Sequence, residues 1–158
     1  MNENINLRDI QAFKSISNSS IEEIKNDLKI LKYKLGSPIC DTKNIPNRIL
    51  IILVGEARIV NENTNNTQLV SKLGKNEFIG LASILRAKGC ELISASVDLI
   101  GLSLSDKLVI KLYQEEESFR LWCNQKIHIS EIYQLSNHLY DNVFNSKINI
   151  QDLLNILL

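Results

Sequence analysis

Gly36, Gly55, Gly74 and Gly80, with Pro38, Pro46 and clusters of asparagine between them, cut residues 30–105 into runs too short for anything but strands and single helical turns. In the first run Leu31, Tyr33 and Leu35 alternate with Ile30, Lys32 and Lys34, a period of two that predicts a half-buried strand ending at Gly36-Ser37-Pro38. A brief strand follows at Ile39–Asp41, and the most apolar run is Arg48–Val54. Gly55 breaks that run before Glu56–Val60, where a glycine supplies the bulge or turn that lets a sheet fold back. Asn61–Thr67 reads as a polar hairpin tip, and further strands are expected at Gln68–Leu73, Leu92–Val97 and Ile100–Leu104. Short strands at close spacing, joined by Gly, Asn and Pro turns, predict a mainly β chain: an antiparallel β jelly-roll barrel with flanking helices.

The flanks carry helical spacing instead. Leu7, Ile10, Phe13 and Ile16 predict a short helix against the barrel. Ser20-Ile21-Glu22-Glu23 fits a capping box, so a second helix is expected to run from Ser20 to about Leu28 with Ile21, Ile24 and Leu28 on one face. Ser105 is placed to cap a helix over Asp106–Tyr113. Beyond it Phe119, Trp122, Cys123, Ile127, Ile129, Ile132, Leu135, Leu139 and Val143 recur mostly at three or four, one apolar stripe along a helix from about Glu116 to Asn145. A helix of that length measures about 45 Å, more than a small barrel needs to cover itself. The expected division is therefore 1–114, barrel with N-terminal helices, and 115–158, long C-terminal helix and tail.

The most informative stretch is Lys72–Ser105. A strand ends at Gly74, a second glycine follows at Gly80, and Leu81–Leu85 has the length of a helical turn before two more strands. A glycine beside a helix start lets bare backbone N–H groups approach an anion, so this layout reads as a phosphate cradle set in a barrel. At these residues the chain resembles the cyclic nucleotide-binding domains of the catabolite activator protein family. There a Phe-Gly-Glu-Leu-Ala-Leu-Leu-like segment precedes an Arg-x-Ala-Thr-Val-x-Ala-like strand, and the two hold the cyclic phosphate and ribose. Ile79-Gly80-Leu81-Ala82-Ser83-Ile84-Leu85 matches in its glycine, small residue and apolar pair, and the resemblance extends over about Leu7 to Tyr140.

Two positions depart from that pattern. The family's ribose-binding Glu falls on Leu81, and its phosphate-binding Arg falls on Cys90, or on Gly89 if the register slips by one. Losing that arginine removes a bidentate, charge-assisted contact about twice as strong as a neutral hydrogen bond. Glu91 beside the gap would repel a phosphate unless strand alternation turns it to solvent, and Arg86 is the available substitute cation. The candidate ligand-binding residues are thus Gly80, Leu81, Ala82, Ser83, Arg86, Cys90 and Glu91.

Composition narrows the function classes. The formal net charge is zero and the pI about 6.7, so no global basic field recruits nucleic acid or anionic membrane. Ile49–Val54, the longest apolar run, is far short of a membrane span, and no secretion signal is read at Met1, so a cytoplasmic protein is expected. Cys40, Cys90 and Cys123 lack a CxxC pair, and His128 and His138 are spaced too far apart on a helix to share a metal. Cys123 and His128 point in different directions on one helix, and Glu115-Glu116-Glu117 reads as a solvated helix start, so no enzyme and no cofactor is expected.

The combination Tyr33–Ile39, Gly55–Val60 and Gly80–Arg86 followed by Cys90-Glu91 is similar to one branch of that fold: the N-terminal domain of peptidase-containing ABC exporters of the type known from cyanobacteria. In that branch the phosphate arginine also tends to be absent. The resemblance implies a cytosolic regulatory or sensor module attached to a transporter. Three readings stay open: a pocket for a small molecule other than a cyclic nucleotide, a ligand-free interaction module, and a cyclic AMP or GMP binder that uses Arg86. The family's equivalent of the long helix pairs across a two-fold axis, which implies a homodimer through Trp122, Ile129, Ile132, Leu135 and Leu139.

Overall fold

The computed structural model describes residues 6–63, 66–126 and 128–132, the side chains of 61–63 and 66–70 excepted. Among the described residues eight strands form two four-stranded antiparallel sheets packed face to face. They are β1 (Lys29–Tyr33), β2 (Pro38–Cys40), β3 (Arg48–Val54), β4 (Ala57–Asn63), β5 (Asn66–Leu73), β6 (Phe78–Ile79), β7 (Ile93–Ala95) and β8 (Leu99–Ser105). One sheet has the order β1-β8-β3-β6 and the other β2-β7-β4-β5. The expected antiparallel β jelly roll with flanking helices is what the chain forms. Three strands differ in extent: β4 and β5 pair Glu62 with Thr67 and Asn63 with Asn66, well into the stretch expected to be loop, the strand expected at Leu92–Val97 is confined to Ile93–Ala95, and the two-residue β6 was not expected.

Strand β3 explains why its sequence is apolar on both parities. Ile49 and Ile51 face the helices, while Leu50 and Ile52 face the opposite sheet, and all four are buried. The same division runs through β6, where Phe78 faces the helices and Ile79 the interior, and through β8, with Leu102 and Leu104 outward and Leu99 inward. Gly55, at φ +92, lies between β3 and β4 where an added Cβ would meet the Asp98 carbonyl oxygen at 2.4 Å. No other residue fits that turn without moving the neighbouring strand.

The helical layer covers the first sheet. Leu7, Ile10, Phe13 and Ile16 are all buried, as their spacing implies, but through two 3₁₀ turns, Leu7–Asp9 and Gln11–Phe13, and not one helix. Ile10 between them is extended, which re-aims the chain so that the apolar side chains meet the sheet. Helix α1 is Asn18–Asp27 and its cap is Ser17, not Ser20: the Ser17 hydroxyl accepts from the Ser20 N–H. Glu116 sets this start from across the fold, accepting from the Ser17 N–H and from the Ser17 and Ser20 hydroxyls, and these bonds hold its carboxyl below the usual range. Helix α2 is Leu81–Leu85, and α3, Asp106–Glu115, is capped by Ser105 as expected.

The single helix expected from Glu116 to Asn145 is not continuous. Helix α4 spans Glu117–Gln125, Lys126 is extended, and a helical segment resumes over 129–132. The break has a packing reason. Phe119 and Cys123 join the cluster between helices and sheet, whereas Ile129 packs on the interior cluster of Cys40, Ile52, Ile79 and their neighbours. A straight helix keeps one stripe on one surface, so reaching both clusters requires a turn. Phe13, Phe78, Phe119 and Trp122 form a chain of ring contacts at centroid distances of 4.8–6.1 Å that ties the N-terminal turns, β6 and α4 together.

Candidate functional site

The site is built where β6 runs into α2. Gly80, the residue between them, has φ +85, and an added Cβ would lie 3.1 Å from Pro46 Cγ and 3.4 Å from Cys40 Sγ. The left-handed glycine turns the chain so that the first N–H groups of α2, unpaired within the helix, face inward. In this barrel they would be buried without partners. Glu91 supplies the partner: one carboxylate oxygen accepts from the Gly80 N–H at 3.2 Å, and the other from the Ser83 N–H at 3.1 Å and the Ser83 hydroxyl at 2.8 Å. The Ser83 oxygen in turn accepts from the Cys90 N–H at 3.2 Å.

Glu91 is 3% exposed and Ser83 fully buried. Glu91 therefore does not turn to solvent, the one arrangement under which it would not repel a phosphate. Residues 89–92 have no strand geometry, since β7 begins at Ile93, so strand alternation does not govern the side chain and the unpaired N–H groups attract it inward. Burial raises the Glu91 pKa, outweighing the Ser83 and Gly80 hydrogen bonds that lower it. Burial also pushes the Cys40 thiol up to about 12 and raises that of Cys90, so both are held as thiols and not as reactive thiolates.

The other positions fall as follows. Leu81 and Ala82 are buried beneath α2, within the core and not at an open surface. Gly89 has no room for a side chain, because a Cβ would sit 2.7 Å from the carbonyl oxygens of both Thr42 and Asn44. Cys90, the position on which the family's arginine falls, is buried 3.5 Å from Ser83 Oγ. Arg86, the available substitute cation, is exposed and paired with Glu131 of the 129–132 segment, so it is engaged away from the cradle. Of the expected dimer-helix residues, Trp122 lies in the aromatic chain, Ile129 packs on the barrel interior and Ile132 is half-buried, while Leu135 and Leu139 lie outside the described residues.

The segment after α4 had no expected part here, yet it lies beside the site. Ser130 is buried, Glu131 holds Arg86, and His128 carries a buried Nε2 with no hydrogen-bond partner, its pKa lowered chiefly by burial. An opening of about 230 Å³ flanks Gly80 on its other side, lined among others by Tyr33, Cys40, Pro46, Arg48 and Ile79. Arg48 is not free to serve it. Its guanidinium donates to the Ser103 hydroxyl at 2.8 Å, the Ser103 carbonyl and the Asp27 carbonyl and carboxylate.

No protein-family model matches the chain, and no curated protein matches it in sequence. Solved structures do. The regulatory subunit of a cAMP-independent protein kinase A from Trypanosoma brucei matches with a TM-score of 0.67 at 18% identity, over 82% of this chain and 48% of that one, so the chain spans about half its length. A triple mutant of the same subunit, with a glutamate and a valine changed to alanine and a threonine to arginine, is bound to cAMP in its A site; it matches with a TM-score of 0.59 at 17% identity, over 75% and 48%. A Geobacter metallireducens protein described as cyclic nucleotide-binding matches at 0.65 and 12%, over 86% of this chain and 98% of that one. The catabolite activator protein of Thermus thermophilus matches at 0.59 and 16%, over 92% and 63%. At these identities the likeness establishes the fold: that of the cyclic nucleotide-binding domains.

Proposed function

We propose that the chain is a regulatory module of cyclic nucleotide-binding fold in which the carboxylate of Glu91 stands where a bound phosphate would stand. The observation that carries this reading is the set of hydrogen bonds from Gly80 and Ser83 to Glu91. An anion already held by those donors leaves them nothing to offer a cyclic phosphate, and its own charge repels one. Cys90 where the family has arginine removes the remaining attraction. The trypanosome subunit offers a parallel: its kinase is cAMP-independent, and the mutant bound to cAMP is one that carries an added arginine.

The module on this reading senses a small molecule without a phosphate at the cradle, and it works in the cytoplasm as the N-terminal part of an ABC-type exporter. Support for the exporter context comes from the motifs Tyr33–Ile39, Gly55–Val60 and Gly80–Glu91 alone. Among the described residues no helix is long and apolar enough to cross a membrane. The division at residue 115 follows the same reading, with 115–158 carrying the output. A homodimer rests on the sequence stripe at Leu135 and Leu139, since Trp122 and Ile129 are taken up by the barrel. The second reading, a ligand-free interaction module, is favoured by the same internal pairing of Gly80 and Ser83 with Glu91, though the burial of Leu81–Ile84 takes that cap away as its contact surface.

Isothermal titration with cyclic AMP and cyclic GMP tests the reading. The wild-type chain is expected to show no binding, and Cys90→Arg combined with Glu91→Ala is expected to bind at least one of them. Micromolar binding by the wild type would overturn the assignment of Glu91 as the internal anion.

A further inference from the structure

A groove of about 540 Å³ lies beside β6, between the N-terminal 3₁₀ turns and the end of α4. Its walls include Asp9, Gln11, Asn76, Phe78, Trp122 and Lys126. That volume falls in the range of small-molecule sites, about 300–1,000 Å³. The sequence alone gave it no role.

Lys126 is the unusual member. Its Nζ lies 5.0 Å from the centroid of the Trp122 ring and 5.4 Å from that of Phe78, and the side chain is half-buried. Stacking on two rings holds an ammonium in place but fills none of its three N–H donors with a hydrogen-bond acceptor. None of the ion pairs among the described residues includes Lys126. The two carboxylates whose charge acts on Lys126 are engaged elsewhere, Glu77 accepting from the Gly74 N–H at 2.7 Å and Glu91 from the Gly80 and Ser83 N–H groups, while Asp9 on the groove wall accepts from the Asn6 amide at 3.0 Å. A half-buried cation held on an aromatic floor, facing a groove with side-chain amides on its walls, has the chemistry of an anion subsite beside an apolar seat.

We propose that this groove binds a small organic carboxylate, its carboxylate group on Lys126 and its hydrocarbon part against Trp122 and Phe78. Burial lowers the Lys126 pKa, and a bound anion would reverse that shift by restoring a partner to the charged form. Asp9 on the same wall repels a second negative charge, which favours monocarboxylates over dicarboxylates. The groove shares no lining residue with the Gly80–Glu91 cradle, although the charge of Glu91 acts on Lys126.

Trp122 is the only tryptophan in the chain and lines this groove, so ligand-dependent changes in tryptophan emission arise at its wall. Hexanoate and its neutral counterpart hexanamide, neither of which absorbs where tryptophan is excited, are titrated against the full chain. Hexanoate is expected to shift Trp122 emission saturably, with hexanamide weaker by about tenfold or more, the worth of one charge-assisted contact. Lys126→Met is expected to abolish the difference between the two ligands. Asp9→Asn, at an exposed position, is expected to tighten hexanoate several-fold, which provides a second reading if Lys126→Met does not fold. A linear, unsaturable change, equal responses to hexanoate and hexanamide, or an Asp9→Asn variant with unchanged affinity would each overturn the proposal.

Discussion

Replacing Glu91 with alanine should expose how much of the barrel depends on its internal anion. The substitution leaves the N–H groups of Gly80 and Ser83 facing a buried space without an acceptor. An orphaned buried donor costs about 1–3 kcal/mol. The Ser83 hydroxyl, which donated at 2.8 Å, keeps the bond it accepts from the Cys90 N–H and its weaker contact with Cys90 Sγ at 3.5 Å. Against these losses stands the relief of a desolvated carboxylate, whose raised pKa shows that burial already works against the charge. A net loss of about 3 kcal/mol is expected, which for a chain of 158 residues is a fall of roughly 6–12 °C in Tm. Urea unfolding followed by circular dichroism measures it. The same experiment in phosphate sharpens the test, because the emptied cradle should accept the ion. At ten times its dissociation constant, phosphate would restore about 1.4 kcal/mol to Glu91→Ala and nothing to the wild type. A variant within about 0.5 kcal/mol of wild type, or equal stabilisation of both by phosphate, would refute the reasoning.

Other consequences can be measured alongside. Gly55→Ala forces a Cβ to 2.4 Å from the Asp98 carbonyl at φ +92 and should destabilise by about 3 kcal/mol or more in urea, with the sheet distorted if it folds at all. Phe119→Ala empties a fully buried position between Phe13 and Trp122 and should cost about 3–5 kcal/mol, with Trp122 emission moving to the red. Ser17→Ala removes the cap of α1 and a ligand of Glu116 and should cost about 1–2 kcal/mol, visibly more than Ser20→Ala. His128 has a pKa lowered below its ordinary 6.5, so the folded chain resists a proton that the unfolded chain accepts. Its contribution is complete above pH about 6.5 and is lost as pH falls through the folded value, so a His128→Phe variant should lose less stability than wild type between pH 7 and 5 in parallel urea titrations.

The fold was legible because it rests on period and punctuation. Arg48–Val54 and the Ser105 cap of α3 were located to the residue, and so was α2 over Leu81–Leu85, since each is a local pattern with a local cause. Where several hydroxyls compete, local pattern is not enough: Ser17 and Ser20 both fit a helix start, and the choice between them is made by Glu116, ninety-nine positions away from Ser17. The broken C-terminal helix was illegible for a related reason. An apolar stripe records that side chains are buried, not that they are buried against two different surfaces, as Phe119 and Ile129 are. At the candidate site the sequence singled out Gly80, Ser83, Cys90 and Glu91, which the structure brings together, but not how they meet. Strand alternation would have permitted Glu91 to face solvent, but alternation holds only inside a strand, and the acceptor requirement of Gly80 and Ser83 acts from outside it. Lys126 gave no signal at all, because its two rings come from β6 and α4.

Strand β3, apolar on both faces, is a partition between two separate cores: one shared with the helices, the other enclosed by the sheets. Such a wall allows cooperative units of different stability within one chain. The helical layer can detach and leave Ile49, Ile51 and Phe78 exposed while Leu50, Ile52 and Ile79 stay covered by the opposite sheet. Amide exchange should then come in two tiers, with α1, α3 and α4 opening together ahead of the β3-β8 ladder. A signal arriving at either end of the chain would have a hinge plane ready made, able to loosen one storey of the molecule without unfolding the other.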